Sequence, residues 1–275
     1  TSIAHINKIT ELLRHAEPFK PDVVVLPESS SFTTYYLNNT PHRLRDIFGQ
    51  ERAVLVVDSA RLYNSEPSPE RTFIYDTTRG LIAVSDKILT IPGGEYISYN
   101  VRTLLTLIGR KDAVNTFDRR RTILSGAYVP YSNLDPETQP LGVQLCSAVH
   151  APSLWRDITR NHAKILVNPA SQGLFKSSSF HQQELLWIRF LAILYDRWFV
   201  QSSNSGFSYI IDPQGRIRFE TTQRGYQALL GTAGYRNSTV PYLFLGDWPI
   251  WVSLVIIAGS VLKIRRYRNA SSGEK

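Results

Sequence analysis

Short, continuous apolar runs recur along the chain and constrain its fold more than any other feature. Runs of this kind, bounded by proline, glycine or polar residues, are typical of β-strands that are buried on both faces. Segments with helical spacing lie between them, so the sequence predicts an α+β fold whose sheets are covered by helices. The predicted strands lie within residues 22–28, 52–62, 71–87, 122–131, 141–146, 164–170 and 200–220, and the predicted helices within 2–17, 151–163 and 179–199.

Turn-forming residues divide these segments. We expect hairpin turns at 77–80 and at 212–215, where Asp-Pro-Gln-Gly supplies residues that favour a turn. The proline-containing segments 64–70 and 133–140 are predicted to be surface loops.

The net charge of +8 does not indicate a nucleic-acid partner. The basic residues are scattered apart from Arg119–Arg121 and the segment 263–268, and the sequence carries no aromatic-basic motif of a nucleic-acid module. The six histidines lack metal-ligand spacing, so we expect neither a metal nor another cofactor. A single cysteine excludes a disulfide within the chain, so the cysteine count does not identify a redox compartment.

An apolar segment near the C-terminus predicts a membrane anchor. Residues 240–262 carry one charge, Asp247, and as a helix would be about 34 Å long, enough for a hydrocarbon core of about 30 Å. Trp248 and Trp251 fit an interfacial belt, and the basic tail that follows is cytoplasmic by the positive-inside rule. The uninterrupted apolar part, 248–262, is short, so a buried core helix is the alternative.

This orientation has a consequence for the rest of the chain. With the tail in the cytoplasm, the larger N-terminal part lies across the membrane, yet no earlier apolar span or signal peptide explains how it arrived there. The sequence also contains no methionine. We therefore expect a segment of a longer membrane protein that carries further spans before Thr1.

Three residues with complementary chemistry stand at the ends of predicted strands: Glu28, Lys87 and Cys146. A side chain at a strand end is held rigidly while its tip stays accessible, which suits a catalytic group. A thiol needs activation at neutral pH, a carboxylate can accept its proton, and an ammonium can stabilise an oxyanion. On the pattern alone, a buried structural thiol and two solvated charges are the alternative.

Four blocks around these residues carry a resemblance. They are VVVLPESS, DKILTIPGGEY, GVQLCSAVHAPSLWRD and KILVNPASQGLF, followed by residues 180–217 and by TVPYLFLGDWP. The chain resembles the nitrilase superfamily and, more narrowly, the apolipoprotein N-acyltransferase family over roughly residues 20–265. The resemblance implies a four-layer α-β-β-α sandwich over residues 1–239, a transmembrane helix over 240–264 and a basic cytoplasmic tail over 265–275.

The resemblance also assigns roles to residues. Cys146 would be the nucleophile, Glu28 the general base and Lys87 the oxyanion stabiliser, with Glu95 of the Gly-Glu-Tyr block as a supporting carboxylate. The implied activity transfers a fatty acyl chain from a phospholipid, through a cysteine thioester, to the N-terminal amine of a diacylglyceryl-cysteine apolipoprotein. We expect a monomer in the bacterial cytoplasmic membrane, with the catalytic domain on the periplasmic side.

Departures from the family's pattern keep other hypotheses open. Ser147 and Ala148 replace the usual Tyr-Glu after the cysteine, which bears on substrate preference and rate more than on reaction class. One alternative is a nitrilase-type amidase, and another is a degenerate membrane-anchored domain that binds lipid or lipoprotein. A Cys146–His150 dyad is a further alternative, since the two residues lie four positions apart.

Overall fold

The computed structural model describes residues 3–61, 68–121, 123–126, 140–173, 178–222 and 225–272. Within these residues the chain forms nine α-helices and nine β-strands. The helices are α1 Ile3–Ala16, α2 Phe32–Tyr36, α3 Thr40–Phe48, α4 Tyr99–Leu107, α5 Lys111–Arg121, α6 Pro152–Arg160, α7 Ser178–Tyr195, α8 Pro241–Leu245 and α9 Trp248–Ser272. The strands are β1 Val23–Val25, β2 Leu55–Ala60, β3 Arg71–Asp76, β4 Gly80–Asp86, β5 Leu141–Val143, β6 Ile165–Ser171, β7 Trp198–Asn204, β8 Tyr209–Ile211 and β9 Ile217–Glu220.

The first sheet has the strand order β1-β2-β3-β4. β1 and β2 are parallel, and the remaining pairs are antiparallel. The predicted hairpin turn at 77–80 joins β3 to β4. The Asp76 carboxylate closes this turn, because it accepts hydrogen bonds from the backbone N–H groups of Thr78 and Arg79 at 2.8 and 3.0 Å and from the Arg79 guanidinium at 2.9 Å.

The second sheet has the order β5-β6-β7-β8-β9. Its first three strands are parallel and its last pairs are antiparallel. The turn predicted at 212–215 is closed as in the first sheet: Asp212 accepts from the backbone N–H groups of Gln214 and Arg216 at 3.0 Å and from the Arg216 guanidinium at 2.8 Å. Each sheet therefore begins with parallel strands and ends in an antiparallel hairpin held by an aspartate.

Neighbouring residues of the strands face different cores, which places the two sheets in the middle of four layers. In β2, Val56 packs with α1, α2 and α3, whereas Val57 packs against the second sheet. In β6, Leu166 packs with α6 and α7, whereas Val167 faces the first sheet. The order of layers is helices, sheet, sheet, helices, as the α-β-β-α expectation requires.

Several elements are shorter than the sequence pattern predicts. The strand expected over 22–28 is Val23–Val25, because Pro27 has no N–H for the ladder. The helix expected over 179–199 ends at Tyr195, since Asp196 adopts a φ of +50° and the next residues begin β7. Phe199 is thereby placed in the core beneath α7.

The strand predicted over 122–131 is not present where the structure describes it. Residues 123–126 belong to neither a strand nor a helix, and the remainder of that segment lies outside the described residues. Helices α2 to α5 are additions that the sequence analysis did not predict. They fill the space after β1 and after the loop that follows β4.

The C-terminal segment forms two helices rather than one helix from residue 240. α8 packs on the domain, because Leu243 is 4% exposed and lies in the core shared with α6 and α7. Gly246, with a φ of +55°, ends α8, and α9 begins at Trp248. Within the part of the chain that the structure describes, no helix is both long and apolar enough to cross a membrane.

Candidate active site

Cys146 lies in a tight bend after β5. The strand ends at Val143, and Cys146 opens the 3₁₀ turn Cys146–His150. Its φ of +42° is uncommon for a residue other than glycine, and such outliers cluster at functional sites. The thiol is buried, and its Sγ lies 3.8 Å from the carbonyl oxygen of Ser171 at the end of β6. The bend therefore presents the thiol at the carboxyl ends of two parallel strands.

The ammonium of Lys87 joins two carboxylates. Its Nζ donates to Oε1 of Glu28 at 2.8 Å and to Oε1 of Glu95 at 2.5 Å. Lys87 is 1% exposed, so water does not solvate its charge and the two carboxylates must compensate for the lost hydration. The structure thus brings together Glu28, Lys87 and Glu95, which come from different segments of the sequence.

Backbone hydrogen bonds fix the segments that carry these groups. Lys87 follows β4 directly, its N–H donates to the Glu70 carbonyl at 2.7 Å, and its own carbonyl accepts from Gly126 N–H at 2.8 Å. Glu95 lies in a tight loop in which its Oε2 accepts the Ile91 N–H at 2.9 Å. The main chain therefore fixes the backbone of Lys87 and the carboxylate of Glu95, and the two side chains hydrogen-bond to each other.

Cys146 belongs to the same charged cluster. Burial raises the pKa of the Cys146 thiol well above its ordinary value, and the neighbouring Glu28 carboxylate raises it further, whereas Lys87 acts in the opposite direction. Burial acts to lower the pKa of Lys87, but the negative charges of the Cys146 thiolate form and of the surrounding carboxylates outweigh it and raise that pKa. At rest the site holds a protonated thiol beside a carboxylate and an ammonium, which is the composition that a nucleophile, its base and an oxyanion donor require.

The structure adds a third carboxyl, Glu70, to this cluster. The segment 64–70 was expected to be a surface loop, but Glu70 is 3% exposed, so that prediction is wrong for its last residue; residues 64–67 lie outside the described part. Ser29 Oγ donates to Glu70 Oε1 at 3.0 Å. Burial and then the charge of Glu28 raise the pKa of Glu70 to about 8. Its position directly before an apolar strand is the one sequence feature that could have identified it.

Buried Asp58 supports the segment that follows Glu28. Its carboxylate accepts hydrogen bonds from Ser30 Oγ at 2.5 Å, from the N–H and Oγ1 of Thr33 at 2.9 and 2.7 Å, and from the Ser59 N–H at 2.8 Å. Burial raises the pKa of Asp58, and these donors act against that shift. The network fixes the backbone on one side of Glu28.

An amide supports the cysteine in the corresponding place of the second sheet. Asn168 Nδ2 donates to the Gln144 carbonyl at 2.7 Å and to the Cys146 carbonyl at 3.4 Å. Ser147 Oγ donates to the Leu89 carbonyl at 2.5 Å, which ties the cysteine bend to the loop after Lys87.

The geometry gives no support to a Cys146–His150 dyad. His150 lies at the far end of the 3₁₀ turn, and its ring packs against Trp187 with centroids 6.1 Å apart. Glu28, Lys87 and Ser171 are the neighbours that affect the thiol. In the described part of the chain, no set of three or more histidine, cysteine, aspartate or glutamate residues is arranged to hold a metal ion.

The sequence matches a known protein family. The sequence profile of the carbon-nitrogen hydrolase family matches residues 4–230, which is most of the chain. The chain belongs to the carbon-nitrogen hydrolase family. Among solved structures, it is similar to an amidase from Nesterenkonia sp., with a TM-score of 0.62 and 14% identity over 91% of this chain and 90% of that one. At this identity the likeness concerns the fold.

Curated relatives are apolipoprotein N-acyltransferases. Apolipoprotein N-acyltransferase 2 of Treponema denticola is 23% identical over 272 residues, which cover 91% of this chain and 49% of that protein. The Geobacter metallireducens apolipoprotein N-acyltransferase is 27% identical over 207 residues, which cover 72% of this chain and 37% of that protein. The chain therefore spans about half the length, or less, of these relatives.

Proposed function

We propose that this carbon-nitrogen hydrolase family member is an N-acyltransferase that moves a fatty acyl chain from a phospholipid to the N-terminal amine of a diacylglyceryl-cysteine lipoprotein. The observation that carries the proposal is the buried Lys87 ammonium, which is hydrogen-bonded to Glu28 and Glu95 beside the strained, buried Cys146. The names of the curated relatives support the choice of acyl transfer.

In the first half-reaction, Glu28 accepts the thiol proton as Cys146 Sγ attacks the carbonyl carbon of the phospholipid ester. The Lys87 ammonium stabilises the negative charge that develops on the carbonyl oxygen. Collapse of the tetrahedral intermediate breaks the ester C–O bond. Glu28 returns the proton to the departing lysophospholipid oxygen, and a thioester remains on Cys146.

In the second half-reaction, the amine of the lipoprotein attacks the thioester carbonyl. An amine attacks a thioester more readily than an oxygen ester, which is why a covalent cysteine intermediate suits this transfer. Glu28 takes a proton from the amine, the C–S bond breaks, and the thiolate recovers the proton. Glu95 holds Lys87 in place through both steps, because it accepts one of the ammonium's hydrogen bonds throughout.

The proposal includes attachment to a membrane through α9, with the catalytic domain on the periplasmic side and the tail in the cytoplasm. Between Trp248 and Leu262 the side chains of this helix are exposed on every side; Trp251, Val255 and Ile256, for example, are 68, 72 and 63% exposed. This uncharged part of α9 needs an apolar environment, and a bilayer would also contain both lipid substrates. The basic residues that follow Leu262 in sequence support a cytoplasmic tail.

The test is the intact mass of the chain after incubation with phospholipid vesicles. We expect a mass gain of one acyl chain that hydroxylamine removes and that a Cys146→Ser variant does not acquire. Addition of a diacylglyceryl-cysteine peptide should then discharge the adduct and acylate the peptide amine. A folded chain that gains no adduct would instead support a domain that binds lipid or lipoprotein without turnover.

Amide hydrolysis is the second candidate, because the fold also matches that of an amidase over nine-tenths of this chain. An amidase would form its Cys146 adduct from a short aliphatic amide, release ammonia and discharge the adduct to water. Parallel incubations with a short amide and with phospholipid vesicles separate the two activities by the mass of the adduct.

A further inference from the structure

Glu70 is a buried carboxyl that takes no part in the steps above. It lies directly before β3, and Ser29 Oγ donates to its Oε1 at 3.0 Å. Glu28 precedes Ser29 in the chain, and its carboxyl is near enough to that of Glu70 to raise the pKa of Glu70. The Glu70 carbonyl accepts the backbone N–H of Lys87 at 2.7 Å, so the main chain fixes Glu70 next to the lysine.

Two ionised carboxylates cannot hydrogen-bond to each other, because each has only acceptor oxygens. A contact between Glu28 and Glu70 therefore requires a proton on one of them. Lys87 Nζ donates to the carboxyls of Glu28 and Glu95, whereas the hydrogen bond to Glu70 Oε1 comes from the neutral Ser29 hydroxyl. The proton consequently belongs on Glu70, with the Ser29 hydroxyl donating to Oε1 and the acidic hydrogen on the other oxygen.

We propose that Glu70 is a positioning residue that, in its neutral form, donates a hydrogen bond to Glu28, so that the two carboxyls share one proton beside Cys146. The inference rests on the role of general base proposed for Glu28. It adds a second function: the protonation state of Glu70 sets how readily Glu28 accepts the proton of the thiol.

The direction of this effect follows from the proton count. When Glu70 carries its proton, transfer of the thiol proton to Glu28 leaves a proton on each of the two carboxyls. When Glu70 is ionised, the transferred proton is shared between the two carboxyls and reduces the repulsion between their charges. Proton transfer from the thiol is therefore more favourable when Glu70 is ionised. Since the pKa of Glu70 is raised to about 8, the reactivity of Cys146 should increase in a step near that pH.

The charged side chains that act on Glu70 are Glu28 after β1 and Lys87 after β4. Glu95 in the following loop and Cys146 after β5 act on Lys87 in turn. Beyond them, Glu184 on α7 also interacts with Glu28, and burial raises the pKa of Glu184 to about 7. Glu184 is therefore the group whose titration must be separated from that of Glu70.

The first test measures the rate at which iodoacetamide alkylates Cys146 between pH 6 and 9.5 in the full chain. We expect the wild-type rate to rise about tenfold through a step centred near pH 8, ahead of the thiol's own higher ionisation. Glu70→Gln keeps the shape and the hydrogen-bond donor but cannot ionise, so the step should be absent. Glu184→Gln is the matched control and should retain the step. A step that persists in Glu70→Gln overturns the proposal.

The second test locates the proton directly. Difference infrared spectra should contain the carbonyl stretch of a protonated carboxylic acid at pH 7, and the band should disappear as the pH passes 8. The part of the band that titrates near pH 8 should be missing in Glu70→Gln and present in Glu184→Gln, whereas the part that titrates near pH 7 should be missing in Glu184→Gln. A wild type without the component near pH 8, or its persistence in Glu70→Gln, contradicts the shared proton.

A further variant keeps the test decisive if Glu70→Gln does not fold. Ser29→Ala removes the hydroxyl that stabilises ionised Glu70, so the alkylation step should move to higher pH; an unmoved step counts against the proposal. Alkylation and infrared spectra need neither phospholipid nor lipoprotein. Failure of acyl transfer and failure of the Glu28–Glu70 pair are thus observed in separate experiments.

Discussion

The two sheets are built alike but contribute opposite chemistry to the site. Each begins with parallel strands and ends in a hairpin closed by an aspartate, Asp76 in one and Asp212 in the other. The first sheet supplies the buried charges, whereas the second supplies a neutral thiol whose backbone is held by the amide of Asn168. Charge and nucleophile therefore meet only where the sheets pack together, and the shared architecture does not dictate which chemistry a strand end carries.

The variant with the largest expected effect removes the Lys87 ammonium, the cation that the first sheet supplies to the site. Lys87→Met leaves Glu28 and Glu95 buried without their ion-pair partner, which should cost about 3–5 kcal/mol of unfolding free energy and abolish acyl-adduct formation. Urea denaturation measures the stability, and the intact mass after incubation with phospholipid vesicles measures the adduct.

Arg102→Met is the matched control. Arg102 donates twice to Asp118 at 2.7 and 2.8 Å, but this pair lies near the surface and should contribute less than about 1 kcal/mol. Equal losses in the two variants would mean that burial of the Lys87 cluster has no special energetic weight.

A second test introduces a negative charge on the second sheet, which supplies the neutral thiol. Asn168→Asp removes the donor to the carbonyls of Gln144 and Cys146 and adds a buried carboxylate, which should cost about 2–3 kcal/mol. The added negative charge should also raise the pKa of the Cys146 thiol and slow its alkylation at pH 8 by about tenfold. Denaturation and alkylation rates check the two effects.

The control makes the same change away from the site. Asn161 Nδ2 donates to the Asp157 carbonyl at the end of α6, so Asn161→Asp should cost less than about 1 kcal/mol and leave the alkylation rate unaltered. An alkylation rate that also stays unaltered in Asn168→Asp would show that the second sheet tolerates charge beside the thiol.

The third test asks whether the two hairpins are equivalent. Burial acts to raise the pKa of Asp76, but hydrogen bonds from Thr78 and Arg79 prevail and lower it to about 2, below its ordinary value of 3.8. Ionised Asp76 therefore stabilises the fold above about pH 4, and this contribution is lost as the pH falls towards 2. Asp76→Asn should cost about 2 kcal/mol at pH 7 and little at pH 2.

Asp212→Asn should behave in the same direction, because hydrogen bonds from Arg216 and Gln214 likewise outweigh burial and lower the pKa of Asp212. Acid titration of the unfolding free energy of both variants makes the comparison. A loss confined to one variant would indicate that the hairpins are alike in geometry only.

The smallest expected effect concerns the hydrogen bond that ties the cysteine bend to the loop after Lys87. Ser147→Ala removes the hydroxyl that donates to the Leu89 carbonyl, at a cost of about 1 kcal/mol. The alkylation rate of Cys146 should change by less than about threefold, because the backbone bend and Asn168 still hold the thiol. If Ser147→Ala also abolished acyl-adduct formation, as Lys87→Met is expected to do, Ser147 would be part of the site.

Much of the fold could be predicted from patterns that depend only on residues close together in the sequence. The spacing of Ile6, Ile9 and Leu13 predicts α1, and the turn chemistry at 212–215 predicts the second hairpin. Glu28, Lys87 and Cys146 could be placed at strand ends for the same reason, and the structure brings them together.

The parts that could not be predicted depend on contacts made by the folded chain. Glu70 occurs in a proline-containing segment typical of a surface loop, and only the folded structure shows that it is buried and hydrogen-bonded to Ser29. The break at Gly246 follows from packing of Leu243 on the domain, which the apolar run around it conceals. Local patterns identify strand ends, whereas burial of polar groups is decided by tertiary packing.

The buried position of the sole cysteine makes the chain its own reporter of conformational opening. Because Cys146 is buried, a bulky, water-soluble thiol reagent that the site does not bind should reach its Sγ mainly through local opening. In low denaturant, the labelling rate divided by that of the unfolded chain gives the free energy of this opening. Comparison with the global value would show whether the site opens alone or only when the whole domain unfolds.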